Sequence, residues 1–152
     1  MNYYSKPKHF FSGDFVISGL NGKSMIAFDW GGNSGSISTD GLKFEVEKDG
    51  WIAKSWFLKT GGQKQLKAEK TLMKSEFSIS GSNRDLRLFK TSFFGDEWQL
   101  EDPGFVYATY SRQSAFTRTS EIKVFAPDFP SKEICFGFWL VTWMRKLSAQ
   151  GD

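Results

Sequence analysis

Ile134-Cys-Phe-Gly-Phe-Trp-Leu-Val-Thr-Trp-Met144 is the stretch whose reading decides the fold. Its apolar residues run on without period-two alternation, which excludes a half-buried strand and predicts a helix. A helix that is apolar on every face must be surrounded by protein or lipid. Asp128 and Ser131 are candidate N-caps, Pro130 suits a first turn, and Glu133 complements the N-terminal dipole. Arg145 and Lys146 favour a C-terminal end, so the predicted helix spans about 129–147. The uncharged run is 11 residues, Ile134 to Met144, whereas a membrane span needs roughly 20. An interfacial helix would show a polar face, and here only Gly137 and Thr142 are available. The expectation is a core helix enclosed by a sheet, with Gly137 marking the close approach of a strand.

Upstream, the chain reads as short strands between turns. Leu42-Lys-Phe-Glu-Val-Glu47 alternates without a break, placing Leu42, Phe44 and Val46 on one face and Lys43, Glu45 and Glu47 on the other. Further strands are expected at 10–19, 24–30, 36–39, 51–58, 64–74, 76–81, 86–93, 97–100, 105–110, 115–118 and 121–125. Within 64–74, a period-two reading puts Leu66, Ala68 and Leu72 on one face. Asn21-Gly22, Asp40-Gly41 and Asp49-Gly50 are turn signals. Gly31-Gly-Asn-Ser-Gly-Ser36 lacks the Gly-Lys-Ser/Thr ending of a phosphate-binding loop and reads as a plain turn. Glu76-Phe-Ser-Ile-Ser-Gly81 echoes Asp14-Phe-Val-Ile-Ser-Gly19, which hints at two related halves about 62 residues apart. The synthesis is a mainly β single domain over 1–152: a closed antiparallel barrel of about twelve strands around a buried C-terminal hydrophobic helix. Closure removes exposed edges and supplies the surround that the helix needs.

A strand-rich chain ending in Asp128-Phe-Pro-Ser-Lys-Glu-Ile-Cys-Phe-Gly-Phe-Trp-Leu-Val-Thr-Trp-Met-Arg145 resembles the tubby C-terminal-like superfamily, among its uncharacterised bacterial branches and the related phospholipid scramblases. Leu66 to Ile79 is similar to that superfamily's middle segment, a strand, a short link and an aromatic-x-Ile strand. The resemblance implies a barrel of about twelve antiparallel strands around a central helix. Tubby proteins bind phosphoinositides through specific basic residues. None of those positions matches this chain residue by residue, so none is carried over, and the resemblance implies fold more than function.

Composition supports a folded, aromatic-rich chain of 152 residues, with 16 Phe, 6 Trp and 15 Gly. The lone Cys135 reads as a small core residue and is compatible with a reducing, cytoplasmic setting. Residues 1–9 read as a mobile segment without a secretory signal, and their single histidine, His9, as solvated. With one His and one Cys no metal spacing exists, and no cofactor is expected. A net charge of +3 is too small to point to nucleic acid, and none is expected as a partner.

One feature stands above this background. From Lys54 to Lys74 six lysines (Lys54, Lys59, Lys64, Lys67, Lys70 and Lys74) accompany a single acid, Glu69. Such a run suits the headgroups of anionic membrane lipid, while its lack of arginine argues against bidentate phosphate recognition. Solvated lysines on outward strand positions are the plain alternative. The leading expectation is therefore a non-catalytic binding or scaffold protein, with the six lysines as its binding residues. One alternative is a calycin-like open barrel carrying an apolar ligand, the helix capping its end. Another is a hydrolase using Asp96, Glu97, Glu101 and Asp102, which flank Gly95 and Pro103-Gly104.

Overall fold

Alternating inward and outward side chains build twelve strands: β1 (Asn2–Pro7), β2 (Phe15–Ser18), β3 (Lys23–Phe28), β4 (Gly35–Thr39), β5 (Leu42–Lys48), β6 (Ser55–Thr60), β7 (Gln63–Lys70), β8 (Glu76–Ser82), β9 (Arg84–Lys90), β10 (Glu97–Asp102), β11 (Phe105–Arg112) and β12 (Ser120–Val124). One helix follows, α1 (Ser131–Gly151). The computed structural model describes residues 2–7, 14–19, 22–29, 31, 33–50, 54–91, 96–112, 119–126 and 128–151. Every strand pairs antiparallel with its sequence neighbours, and β1 pairs with β12 through Asn2↔Lys123 to Ser5↔Ser120, which closes the barrel.

The closing strand corrects the expectation of a mobile N-terminus. Tyr3 and Ser5 point inward and are buried, while Tyr4 reaches outward and donates its hydroxyl to Glu121 at 3.2 Å. Two buried positions in six residues is too short a signal to separate from an irregular tail. The expected strand at 115–118, and His9, lie outside the described residues. Two leucines also depart from expectation. Leu42 lies at the barrel rim and is 53% exposed, and Leu72 lies past the end of β7 in a turn.

The helix runs down the bore. Glu133 to Trp143 are all buried, in one continuous core with the inward residues of the strands. The alternative of a helix capping an open calycin-like barrel therefore does not hold: α1 fills the space such a ligand would need. The first intrahelical bond, 3.5 Å from Ile134 N–H to the Pro130 carbonyl, makes Pro130 the cap residue. The Ser131 hydroxyl donates instead to Asp40 and accepts from Thr39. At the other end α1 continues past Lys146, so Arg145 and Lys146 do not form its last turn.

Indoles and glycines fix the helix in the bore. Trp139 stacks on Phe28 at 4.6 Å and donates its indole N–H to the Ala27 carbonyl at 3.1 Å. Its partner position is Gly35, where a Cβ would run into the Ala27 carbonyl and stand 2.9 Å from the Trp139 nitrogen. The glycine-rich turn is thus structural: Asn33 also accepts the Trp56 indole through its backbone carbonyl at 3.1 Å. Gly137 answers a close approach, as expected, but from a side chain. A Cβ there would fall on the Tyr110 hydroxyl, which donates to the Ile134 carbonyl at 2.8 Å.

The echo between residues 14–19 and 76–81 is a register, not a coincidence. Phe15 and Ile17 of β2 pair with Ile26 and Ser24, and Phe77 and Ile79 of β8 pair with Leu88 and Leu86. Continuing through both series, Ile37 of β4 occupies the place of Leu100 in β10, and Leu58 of β6 that of Ile122 in β12. Strands β1–β6 and β7–β12 are two copies of one meander, their residues offset by 62 to 64 positions.

Candidate functional site

The sheet divides the lysine-rich run between two ends of the barrel. Lys59 leaves β6 toward Glu47 of β5, at 2.9 Å. That contact holds the Glu47 carboxyl below its ordinary value, first through the hydrogen bond from Lys59. Lys64 stands 4.0 Å over the Phe57 ring, and Lys67 pairs with Glu69 at 2.9 Å. The hydrogen bond that Lys67 donates to Glu69 raises the Lys67 pKa above the usual lysine value. Cross-strand neighbours thus temper a charge that looked concentrated in the linear sequence, because β5 brings Glu45 and Glu47 beside β6.

Lys54, Lys70 and Lys74 are brought together at the opposite end. The Lys70 backbone N–H donates to the Lys54 carbonyl at 2.8 Å. The Lys70 ammonium donates to the carbonyls of Thr71 and Lys74, at 3.3 and 3.0 Å, and so braces the turn joining β7 to β8. Thr71 N–H donates to the Glu76 carbonyl at 2.9 Å, and Lys90 N–H to that of Ser75 at 3.1 Å. On this held base the tip carries Leu72, 80% exposed, and Met73, fully exposed at 100% with φ of 61°. Beside the tip runs a groove of about 440 Å³ lined by Met73, Lys74, Ser75, Glu76, Arg87, Phe89 and Lys90.

Sequence reasoning found the lysines here and missed Leu72, Met73 and Lys90. The available signal was an apolar pair bracketed by Lys70 and Lys74. Extending period two past the end of β7 assigned Leu72 to the interior and hid it. A fully exposed apolar tip is informative because lone exposed apolar residues are common but a paired, braced one beside cations is not required by the fold.

The four carboxylates of the hydrolase reading are not assembled. Asp96 pairs with Arg112 at 2.8 Å and Arg145 at 3.0 Å. Glu97 is exposed. Glu101 pairs with Arg87 at 3.3 Å, and Asp102 accepts the Tyr107 hydroxyl at 2.6 Å. Asp96 precedes β10 and Asp102 ends it, and none of the four lines the groove beside the β7–β8 tip. Cys135 is buried beside Ser24 and Thr39, and burial pushes its thiol up to about 12. Among the described residues no group of three or more His, Cys, Asp or Glu could hold a metal ion, and no helix is long and apolar enough to cross a membrane. No protein-family model, curated protein or solved structure matches this chain.

Proposed function

We propose that this chain is a non-catalytic binding protein of tubby-like architecture that docks on anionic lipid headgroups through the β7–β8 end of its barrel. Leu72 and Met73 enter the headgroup boundary, and Lys54, Lys70, Lys74 and Lys90 face the anionic groups around them. Lys59, Lys64 and Lys67 lend only a weaker, screened attraction from the barrel wall. The observation that carries this reading is the Leu72–Met73 pair, 80% and 100% exposed on a turn braced by the Lys70 ammonium. Apolar insertion and cationic attraction act together in such interfacial binding.

Co-sedimentation with vesicles of phosphatidylcholine, with and without phosphatidylserine, tests it. At about 50 mM salt we expect several-fold more protein on the anionic vesicles, and most of that preference lost at about 0.5 M. Leu72→Asp with Met73→Asp should abolish it, whereas Lys59→Ala should change it little. Equal binding to neutral and anionic vesicles, or binding indifferent to the Leu72 and Met73 changes, overturns the proposal.

A further inference from the structure

A second surface is exposed by comparing the outer walls of the two barrel halves. In β7–β10 one cross-strand row reads Glu69↔Ser78↔Arg87↔Glu101. Arg87 reaches Glu76 at 2.6 Å and Glu101 at 3.3 Å, so this wall is closed by its own ion pairs. The equivalent row in β1–β4 reads Lys6↔Val16↔Met25↔Ser38, and continues to Lys43 of β5. Its centre is apolar and its flanks are basic. Here the sheet forms a groove of about 470 Å³ lined chiefly by Val16, Lys23, Met25, Ser38, Leu42 and Lys43.

Three facts separate this groove from an ordinary patch of wall. Met25 is 36% exposed where the other half carries Arg87, Ser38 stands where it carries Glu101, and Leu42 is 53% exposed at the adjoining rim. Lys23 and Lys43 enter no ion pair among the described residues, unlike Arg87 in the sister row. Among the described residues the lining holds no carboxylate. An apolar floor with two uncommitted ammonium groups complements a molecule with an alkyl chain and one anionic head.

We infer that the β2–β5 groove binds a single-chain anionic amphiphile. Its alkyl chain lies along Val16, Met25 and Leu42, and its carboxylate or phosphate head lies between Lys23 and Lys43. The site is on the opposite half of the barrel from the β7–β8 tip and does not depend on the vesicle reading.

Methyl-labelled methionine separates the two, because Met25 reports the groove and Met73 the tip. Dodecanoate, dodecyl phosphate and dodecanol are titrated below their micelle concentrations and followed by the methyl resonances. The two anions should move Met25 saturably and leave Met73 in place. Dodecanol should bind at least about tenfold more weakly. Whichever anion binds tighter tells a carboxylate source from a phosphate source. Lys23→Ala with Lys43→Ala should erase the preference for the anions, and Leu42→Asp should remove binding. The inference is overturned if Met25 does not move, if dodecanol moves it as readily as the anions, or if Met73 alone responds. Since the Met25 signal is read in the unaltered protein, a variant that fails to fold leaves the test intact.

Discussion

The two halves of the barrel share a register and differ in side-chain volume. Gly35 in β4 stands where β10 has Trp98, Ser24 in β3 where β9 has Leu86, and Trp56 in β6 where β12 has Ser120. All six are buried. A single helix cannot obey the two-fold relation of the sheet around it, so the sheet departs from that relation at the helix contacts. Trp139 lies against Gly35. Trp143 meets Trp56 at 4.6 Å, while the small Ser120 leaves space for the Arg145 guanidinium, which donates to its hydroxyl at 2.7 Å. Ser24 lies in a polar pocket with Thr39 and Ser131 at the start of the helix. Close packing of interiors explains why a repeated backbone needs unlike residues to hold an unrepeated centre.

The strongest way to break this comparison is to erase its asymmetry. Trp139→Ala removes the side chain that Gly35 makes room for, and should cost about 3–5 kcal/mol in denaturant unfolding. Gly35→Ala should cost about 3 kcal/mol or more, because its Cβ meets the fixed Ala27 backbone rather than a flexible side chain. A loss below about 1 kcal/mol for either would mean that the helix is not seated by this pair.

The next test concerns a side chain that can yield. Gly137→Ala places a methyl on the Tyr110 hydroxyl and should cost about 1–3 kcal/mol. In a Tyr110→Phe background the hydroxyl is gone, so the same change should cost less, with a coupling of about 1 kcal/mol in the double-mutant cycle. Additive costs would remove Tyr110 as the cause of that glycine. Arg145→Ala should cost about 1–3 kcal/mol by unfolding, since Arg145 is 10% exposed and Asp96 would keep Arg112. Ser120→Ala should cost about 1 kcal/mol or less.

The fold was legible because its two signals are local. Ile134–Met144 is apolar on every face, and Leu42–Glu47 alternates cleanly, so each can be read without knowing its neighbours. The strand β1 was not legible, because its six residues bury only Tyr3 and Ser5 and their meaning comes from pairing with β12, more than a hundred residues away. The candidate site was half legible for the same reason. Lysine spacing is visible along the chain, but whether a lysine is committed depends on the strand beside it: Lys59 of β6 meets Glu47 of β5, while Lys70 bonds the backbone carbonyls of both Lys54 and Lys74 at the barrel end. The β2–β5 groove was not legible at all, since Val16, Met25 and Lys43 come from three strands and acquire meaning only as a row, with Leu42 at its rim.

The smallest expected effect lies in the pocket that distinguishes Ser24 from Leu86. Cys135 packs there beside the helix start, and its thiol ionises near 12 in the fold against 9.0 for an unperturbed thiol, chiefly because burial disfavours the thiolate. Tyr110 is pushed upward for the same reason. Both groups are neutral when protonated, so above about pH 9 the folded state retains protons that the unfolded chain releases. Stability must then fall as pH rises, by up to about 1.4 kcal/mol per pH unit for each group. At pH 9.5 the thiol's share is less than about 1 kcal/mol. Denaturant unfolding of the reduced protein at several pH values between 8 and 11 should show this decline, and Cys135→Ala should flatten the part of it that begins near pH 9. The flattening should come with a thiol that resists Ellman's reagent until the protein unfolds. If the slope is unchanged in Cys135→Ala, the thiol is reaching solvent through the Ser24 side of the barrel. The first half would then be looser than the second around the helix, and the complementarity of volumes would be incomplete at that one position.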